Sequence, residues 1–328
     1  MSKNDERFLM KVVDMYYKEE MSQEKIAKKL DVSRTTISRA LAKAKKDGFV
    51  KIIIDFPAEN SIELEKELEE KYQMKEVIVV RSGNVETSEY LVAKEAASYL
   101  ARVIKSHMLL GVTWGKTMKH IVDAFNSDQI GRNLKVKDVQ VVPMLGTTFP
   151  ETADEADLRL GYSSLLSNKL AEMVHGISYS LPAPMYVSNP ETKRMLTKEP
   201  QIANVLEKAR NCKIGIFGIG TLTRHSSLAA LDKEKKDMVL QMAKQGGIGE
   251  VIGRVFNQKG DPISSEIDQR LIGLTLEEIR QIPTRVGVAF GKEKTGAIET
   301  AVRTGLMNVL ITDSEMAETL LNYHFCEK

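Results

Sequence analysis

The chain has 328 residues, 42% of them hydrophobic and 28% charged, with a formal net charge of +2. Such a composition excludes a disordered or fibrous chain and supplies apolar material for two packed domains. No apolar run approaches the ~20 residues of a membrane span, and the charged start MSKNDER has no signal-type apolar stretch behind it. The only two cysteines, Cys212 and Cys326, lie far apart. This argues against a disulfide framework or zinc site and fits a reducing, cytoplasmic compartment. The five scattered histidines offer no metal spacing, so neither a metal nor a cofactor is expected.

ERFLMKVVDMYYKEEM at 6–21 places Phe8, Leu9, Val12, Val13, Tyr16 and Tyr17 on one broad helical face. SQEKIAKKLDVSRTTISRALAKAKK at 22–46 then reads as two short amphipathic helices about a tight turn. Ser22 caps the first, whose apolar side is Ile26, Ala27 and Leu30, and Asp31 and Val32 form the turn. Ser33 caps the second, which buries Ile37, Ala40, Leu41 and Ala44 and leaves Arg34, Thr35, Thr36, Ser38, Arg39 and Lys43 outside. Short hydroxyls and Arg near a helix start suit base edges, and Arg and Lys hold phosphates. Residues 22–51 hold nine Lys or Arg against three Asp or Glu, which concentrates the basic charge where the motif is. A solvated helical hairpin would share that charge but not the caps and spacing. We therefore expect Ser33, Arg34, Thr35, Thr36, Ser38, Arg39 and Lys43 to face double-stranded DNA. Gly48 followed by VKIIIDF at 50–56 predicts a wing strand, giving a winged helix-turn-helix over 1–57.

AENSIELEKELEEKYQMKE at 58–76 predicts a charged helix, either a solvated linker with one packed edge or a site of subunit contact. From 77 to 328 short apolar runs alternate with helical segments. Strands are expected at 77–80, 108–115, 139–145, 212–220, 250–256, 285–291 and 308–313, with early helices at about 87–105 and 117–125. That alternation implies an α/β domain with a parallel sheet covered on both faces. Ligands of such sheets sit outside the carboxyl ends of strands. Four of those ends are rich in Gly, Ser, Thr or Lys: GVTWGKT at 111–117, LGTT at 145–148, GIGT at 218–221 and FGKEK at 290–294. Each alone is a weak signal and none has P-loop spacing. Four together point to an anion site built from N–H groups, hydroxyls and Lys292 or Lys294.

Taken in order, YY at 16 and 17, MSQEKIAKKLDVSRTTISRAL, GVTWGKT, LPAP at 181–184, GIGT, RVFNQKGDPI at 254–263 and KEKTGAIETAVRTGLMNVLITD at 292–313 resemble the SorC family of sugar-binding transcriptional regulators over nearly the whole chain. The resemblance implies an N-terminal winged helix-turn-helix and a C-terminal Rossmann-like domain related to sugar-phosphate isomerases and deaminases. It also implies a homotetramer, a dimer of dimers, that leaves the operator of a carbohydrate or nucleoside operon when a phosphorylated sugar binds. The family's late, phosphate-holding Lys falls on Lys294, and its sugar-contacting acid falls on Asn257, which brings no charge. Phe290 and Gly291 stand where the family has two glycines. Leu145 stands where the deoxyribose-phosphate branch has a Schiff-base Lys, so covalent capture is not expected. The expected effector residues are Thr113, Gly115, Lys116, Thr117, Gly146, Thr147, Thr148, Gly218, Gly220, Asn257 and Lys294.

A competing reading is an isomerase- or deaminase-type enzyme with an added nucleic-acid module. Such an enzyme needs a carboxylate base beside the sugar. Only Glu293 accompanies the Gly-rich turns in sequence, so binding without catalysis is preferred. The particular effector, the operator sequence and the sign of regulation are not written in these motifs.

Overall fold

The computed structural model describes residues 3–50, 61–127, 130, 134–148, 162–263 and 266–323. The chain divides into two compact units, Met1–Pro57 and Ala58–Lys328.

In the first unit, α1 (Lys3–Tyr17), α2 (Gln23–Leu30) and α3 (Arg34–Lys46) close on one core of Leu9, Val12, Ile26, Ala27, Ile37, Ala40 and Leu41. Both caps form: Ser22 Oγ accepts the Lys25 N–H at 3.3 Å and Ser33 Oγ accepts the Thr36 N–H at 3.1 Å. The turn is made by Asp31 in the left-handed region (φ 52°), a conformation Asp tolerates better than most residues. Of the expected apolar face of α1, Leu9 and Val12 are buried and Phe8 and Tyr16 pack against the core, whereas Tyr17 is exposed. The expected wing strand at 50–56 lies, apart from Val50, outside the described residues.

The second unit is built on a seven-stranded parallel sheet of order β1-β9-β8-β5-β2-β3-β4. Its strands are β1 (Glu76–Val80), β2 (Leu109–Val112), β3 (Gln140–Pro143), β4 (Ile177–Ser178), β5 (Ile214–Gly218), β8 (Thr284–Val288) and β9 (Val309–Asp313). Each buried strand sends alternate residues to opposite faces. Val77, Val79 and Phe217 join one core with α4 (Ser61–Tyr72), α9 (Pro200–Arg210), α13 (Thr295–Arg303) and α14 (Ser314–Asn322). Ile214, Ile216, Leu110 and Val112 join the other with α5 (Val85–Val103), α6 (Lys116–Ser127) and α7 (Ser163–Met173). Four further helices are α8 (Pro190–Leu196), α10 (Lys233–Lys244), α11 (Glu266–Arg270) and α12 (Leu276–Arg280).

The expected strand at 250–256 is instead an antiparallel hairpin, β6 (Gly247–Val251) and β7 (Arg254–Asn257), outside the main sheet. Ile252 (φ 50°) and Gly253 (φ 78°) make its two-residue loop. Left-handed backbone at both central residues is what a tight hairpin requires, yet a β-branched residue gives no turn signal.

Helix α4 lies against the edge strand β1. Glu65 Oε1 accepts the Val79 N–H at 2.9 Å and Glu69 Oε1 accepts the Val77 N–H at 2.8 Å. Two carboxylates one helical turn apart thus match two N–H groups two residues apart on the strand, and Leu68 is buried between them in sequence. From the centre of the sheet the chain runs outward in both directions. β2 leads to β3 and β4 on one side, while β5 leads to β8 and β9 on the other. The switch point therefore lies between β2 and β5, where two loops diverge and leave a crevice.

Candidate functional site

All seven α3 residues assigned to DNA are exposed. Ser33 spends its side chain on the cap, its Oγ lying 2.8 Å from Thr36 Oγ1, so these two hold the helix start in shape. Arg34 is within 3.7 Å of Glu24 of α2, an exposed pair that binds it only weakly. Thr35, Ser38, Arg39 and Lys43 lie on the same solvent side, opposite Ile37, Ala40, Leu41 and Ala44.

In the second unit a cavity of about 350 Å³ opens at the switch point. Thr113, Trp114, Gly115, Lys116 and Thr117 enter from the end of β2, and Gly218, Ile219, Gly220 and Thr221 from the end of β5. Glu293 and Lys294 enter from beyond β8, and Glu250 and Ile252 from the hairpin. Thr223, His225, Ser226 and Ser227 complete the lining. Gly115 takes φ 104°, which turns the chain directly into α6, so that Lys116 and Thr117 stand in its first turn beside the unpaired N–H groups of the helix start.

Charge is arranged unevenly around the cavity. Lys294 Nζ lies 5.2 Å from the centre of the Phe290 ring. Among the described residues no carboxylate oxygen lies within 4 Å of that Nζ. Burial lowers its pKa, against the pull of Glu293, Glu89, Glu250 and Asp313. Glu250 is 8% exposed; burial pushes its carboxyl up to about 7, opposed by the Gly253 N–H and by Lys294. Its Oε2 accepts that N–H at 2.8 Å. Its backbone exchanges two 3.0 Å hydrogen bonds with Gly220, locking the hairpin to the β5 loop. Behind the wall, Glu89 accepts from His120 Nδ1 at 3.0 Å, which holds the Glu89 carboxyl below its ordinary range. A dianion placed here meets one half-buried lysine, hydroxyls, a helix start and a carboxyl poised between charge states.

A family model for sugar-binding domains matches residues 57–322, and one for helix-turn-helix domains matches residues 9–55. The chain belongs to the SorC family of sugar-binding transcriptional regulators. It is 30% identical to the deoxyribonucleoside regulator of Bacillus subtilis (strain 168), over 98% of this chain and 99% of that one. To the sorbitol operon regulator of Klebsiella pneumoniae it is 23% identical, over 97% and 98%. The full-length structure of that SorC protein superposes with a TM-score of 0.69, at 23% identity, over 98% of this chain and 100% of that chain, and shows the shared fold. A DeoR family transcriptional regulator from Listeria monocytogenes gives a TM-score of 0.66 at 27% identity, over 79% and 99%. These relatives are regulators, so this SorC-family chain is a DNA-binding transcriptional regulator and not an enzyme.

Within the SorC framework the structure brings Thr113, Gly115, Lys116, Thr117, Gly218, Gly220 and Lys294 together at the cavity. The N–H of Gly220 is already given to Glu250, so that glycine offers room rather than a donor. Gly146, Thr147 and Thr148 are not among the described residues of the lining. The LGTT turn docks instead on the LPAP segment. Thr147 N–H donates to Ala183 O at 2.9 Å, Met185 N–H donates to Thr147 O at 2.7 Å, and a Cβ on Gly146 would fall on the Pro184 carbonyl. Asn257 also stands outside the lining, because its Oδ1 accepts the N–H groups of Lys259 (2.8 Å) and Asp261 (3.1 Å) and closes its own turn. Conversely, the sequence reading missed Glu250, Ile252 and the 223–227 loop. Glu250 reaches the cavity only because the hairpin folds back on Gly220, and no local spacing signals that.

Proposed function

We propose that the protein represses a carbohydrate or nucleoside catabolic operon and leaves its operator when a phosphorylated sugar fills the switch-point cavity. Lys294 carries this reading: a half-buried ammonium without a close carboxylate faces a helix start across a cavity of sugar-phosphate size. The phosphate sits against Lys294, Thr117 and the first turn of α6. Glu250 and the hydroxyls of Thr113, Thr221 and Ser227 meet the sugar. On the DNA side Thr35, Ser38 and Arg39 reach base edges, while Arg34 and Lys43 hold phosphates and Ser33 and Thr36 fix the helix start. The working form is a cytoplasmic homotetramer whose paired modules read a site of approximate two-fold symmetry. Among the described residues no helix is long and apolar enough to cross a membrane.

Titration calorimetry with matched pairs of phosphorylated and free sugars tests the effector reading. Phosphates should bind and free sugars should not, and Lys294→Ala should weaken sugar-phosphate binding by ~1.5 to 3 kcal/mol, as for a lost hydrogen bond to a charged group. Equal affinity for free sugars, or unchanged binding by Lys294→Ala, would remove the phosphate from this cavity.

A further inference from the structure

Helix α14 has one end beside the cavity and the other on the helix through which the chain enters the second unit. At its start Asp313 Oδ1 accepts the Met316 N–H at 3.0 Å. Thr295 Oγ1, one residue past Lys294, lies 3.7 Å from Met316 Sδ, and Lys292 Nζ lies 3.4 Å from Glu315 Oε1. At its end Lys71 of α4 donates through Nζ to Leu320 O (2.9 Å), Leu321 O (2.9 Å) and Tyr323 O (3.1 Å). Tyr72 donates its hydroxyl to Leu320 O at 3.0 Å. These carbonyls lie at the helix end, where Leu320 O also accepts the Tyr323 N–H at 3.3 Å, and a cation there opposes the negative end of the helix dipole. Between the two ends runs continuous apolar packing: Ala297 and Ile298 of α13, Met316, Ala317 and Leu320 of α14, and Leu68 of α4 share one core.

We propose that Lys71 and Tyr72 are the coupling residues of the regulator, carrying the state of the Lys292–Lys294 turn through α14 to α4 and so toward the DNA-binding unit. The inference rests on the sugar-phosphate reading of the cavity. The Lys292–Lys294 turn meets the start of α14 through Lys292 Nζ on Glu315 and through Thr295 on Met316. A dianion in the cavity draws Lys294 toward it and so pulls on the turn against which α14 begins. A helix packed at core density answers as a body rather than by local deformation, so a displacement at its start appears at its end. There it meets α4, which is held to β1 by Glu65 and Glu69 and to α14 by Lys71 and Tyr72. An effector can shift DNA affinity only by as much as it distinguishes two such arrangements.

The test uses the full chain, DNA selected by the protein from a random library, and a panel of ribose 5-phosphate, deoxyribose 5-phosphate, glucose 6-phosphate, fructose 6-phosphate and fructose 1,6-bisphosphate. With the tightest of these at saturation, the wild type should lose operator affinity by about tenfold or more. The Lys71→Met, Tyr72→Phe double variant should lose less than about twofold, while its affinities for the sugar phosphate and for free operator stay within about twofold of wild type. Amide exchange in 61–72 should respond to the sugar phosphate in the wild type and not in the variant. Tyr72→Phe alone, which removes one hydroxyl, should give an intermediate response if the double variant folds poorly. A wild-type response in either variant overturns the coupling, as does a lost response that follows from lost sugar-phosphate binding. If no member of the panel binds the wild type, the reading of the cavity falls and the coupling with it.

Discussion

Glu250 carries an electrostatic cost in the cavity, since burial pushes its carboxyl up to about 7 from 4.5. A carboxyl whose folded pKa lies above its unfolded one contributes stability that is complete below the unfolded value and is lost as pH rises through the folded value. Between pH 4.5 and pH 8 that loss amounts to roughly 3 kcal/mol. Glu250→Gln keeps an oxygen for the Gly253 N–H and cannot ionise. It should therefore melt higher than the wild type at pH 8, and the advantage should vanish by about pH 4.5. A gain of equal size at both pH values would mean that the carboxyl is not the cause. On the DNA side Arg34→Ala and Arg39→Ala should each cost ~1 to 3 kcal/mol of operator binding where they touch bases, with altered sequence preference, or weaken all sequences alike where they touch phosphate. Binding to a selected operator unchanged by both substitutions would move the recognition surface off α3.

At the scale of elements, α4 is the clearest case of polar groups deciding where a helix rests. Glu65→Ala with Glu69→Ala strips the Val77 and Val79 N–H groups of their acceptors and should cost ~1 to 3 kcal/mol for each group left unpaired, while the paired Gln variants retain an acceptor oxygen and should cost far less. Denaturant titration of the Ala and Gln pairs separates lost hydrogen bonds from lost charge. These elements also show what sequence alone could tell. The two helices of the turn were legible because caps, apolar spacing and exposed polar residues all lie within 25 residues. The ends of β2 and β5 were legible as loops that line one cavity because their Gly and Thr cluster where the two strands end. The hairpin was not, since Ile252 occupies a turn position that usually announces itself with Asn, Asp or Gly. Nor was β4, whose two residues are too short to carry a period. LGTT had the same composition as the other turns but finds its partners in LPAP, a pairing set by tertiary packing that no local rule contains.

For the whole molecule, operator binding should be dominated by phosphate contacts, and its logarithm should fall with the logarithm of salt by about 0.9 for each phosphate neutralised. Lys43→Ala should reduce that slope by about one if Lys43 holds a phosphate. The slope should be unchanged in Lys294→Ala, which alters effector response rather than DNA contact. Linkage fixes a further result: the factor by which a sugar phosphate weakens operator binding equals the factor by which the operator weakens sugar-phosphate binding. Calorimetry of the same effector with and without saturating operator checks it, and an effector affinity that saturating operator leaves unchanged would show that the two sites are not coupled.

The sheet order has a consequence in time. Among the described residues strand β1 pairs only with β9, Glu76 opposite Val309, so its partner leaves the ribosome about 230 residues later. At ~5 to 20 residues per second that is a delay of roughly 10 to 50 s. The three-helix unit, with contacts almost entirely local, needs no such wait and can be complete while the sensor is still being made. Throughout that interval EVIVV is an unpaired apolar strand, with the glutamate-rich α4 beside it in sequence as a natural brake on aggregation. A nascent chain stalled before β9 should therefore carry a folded helix-turn-helix and no working sensor, so the part that meets DNA is finished before the part that answers to the metabolite.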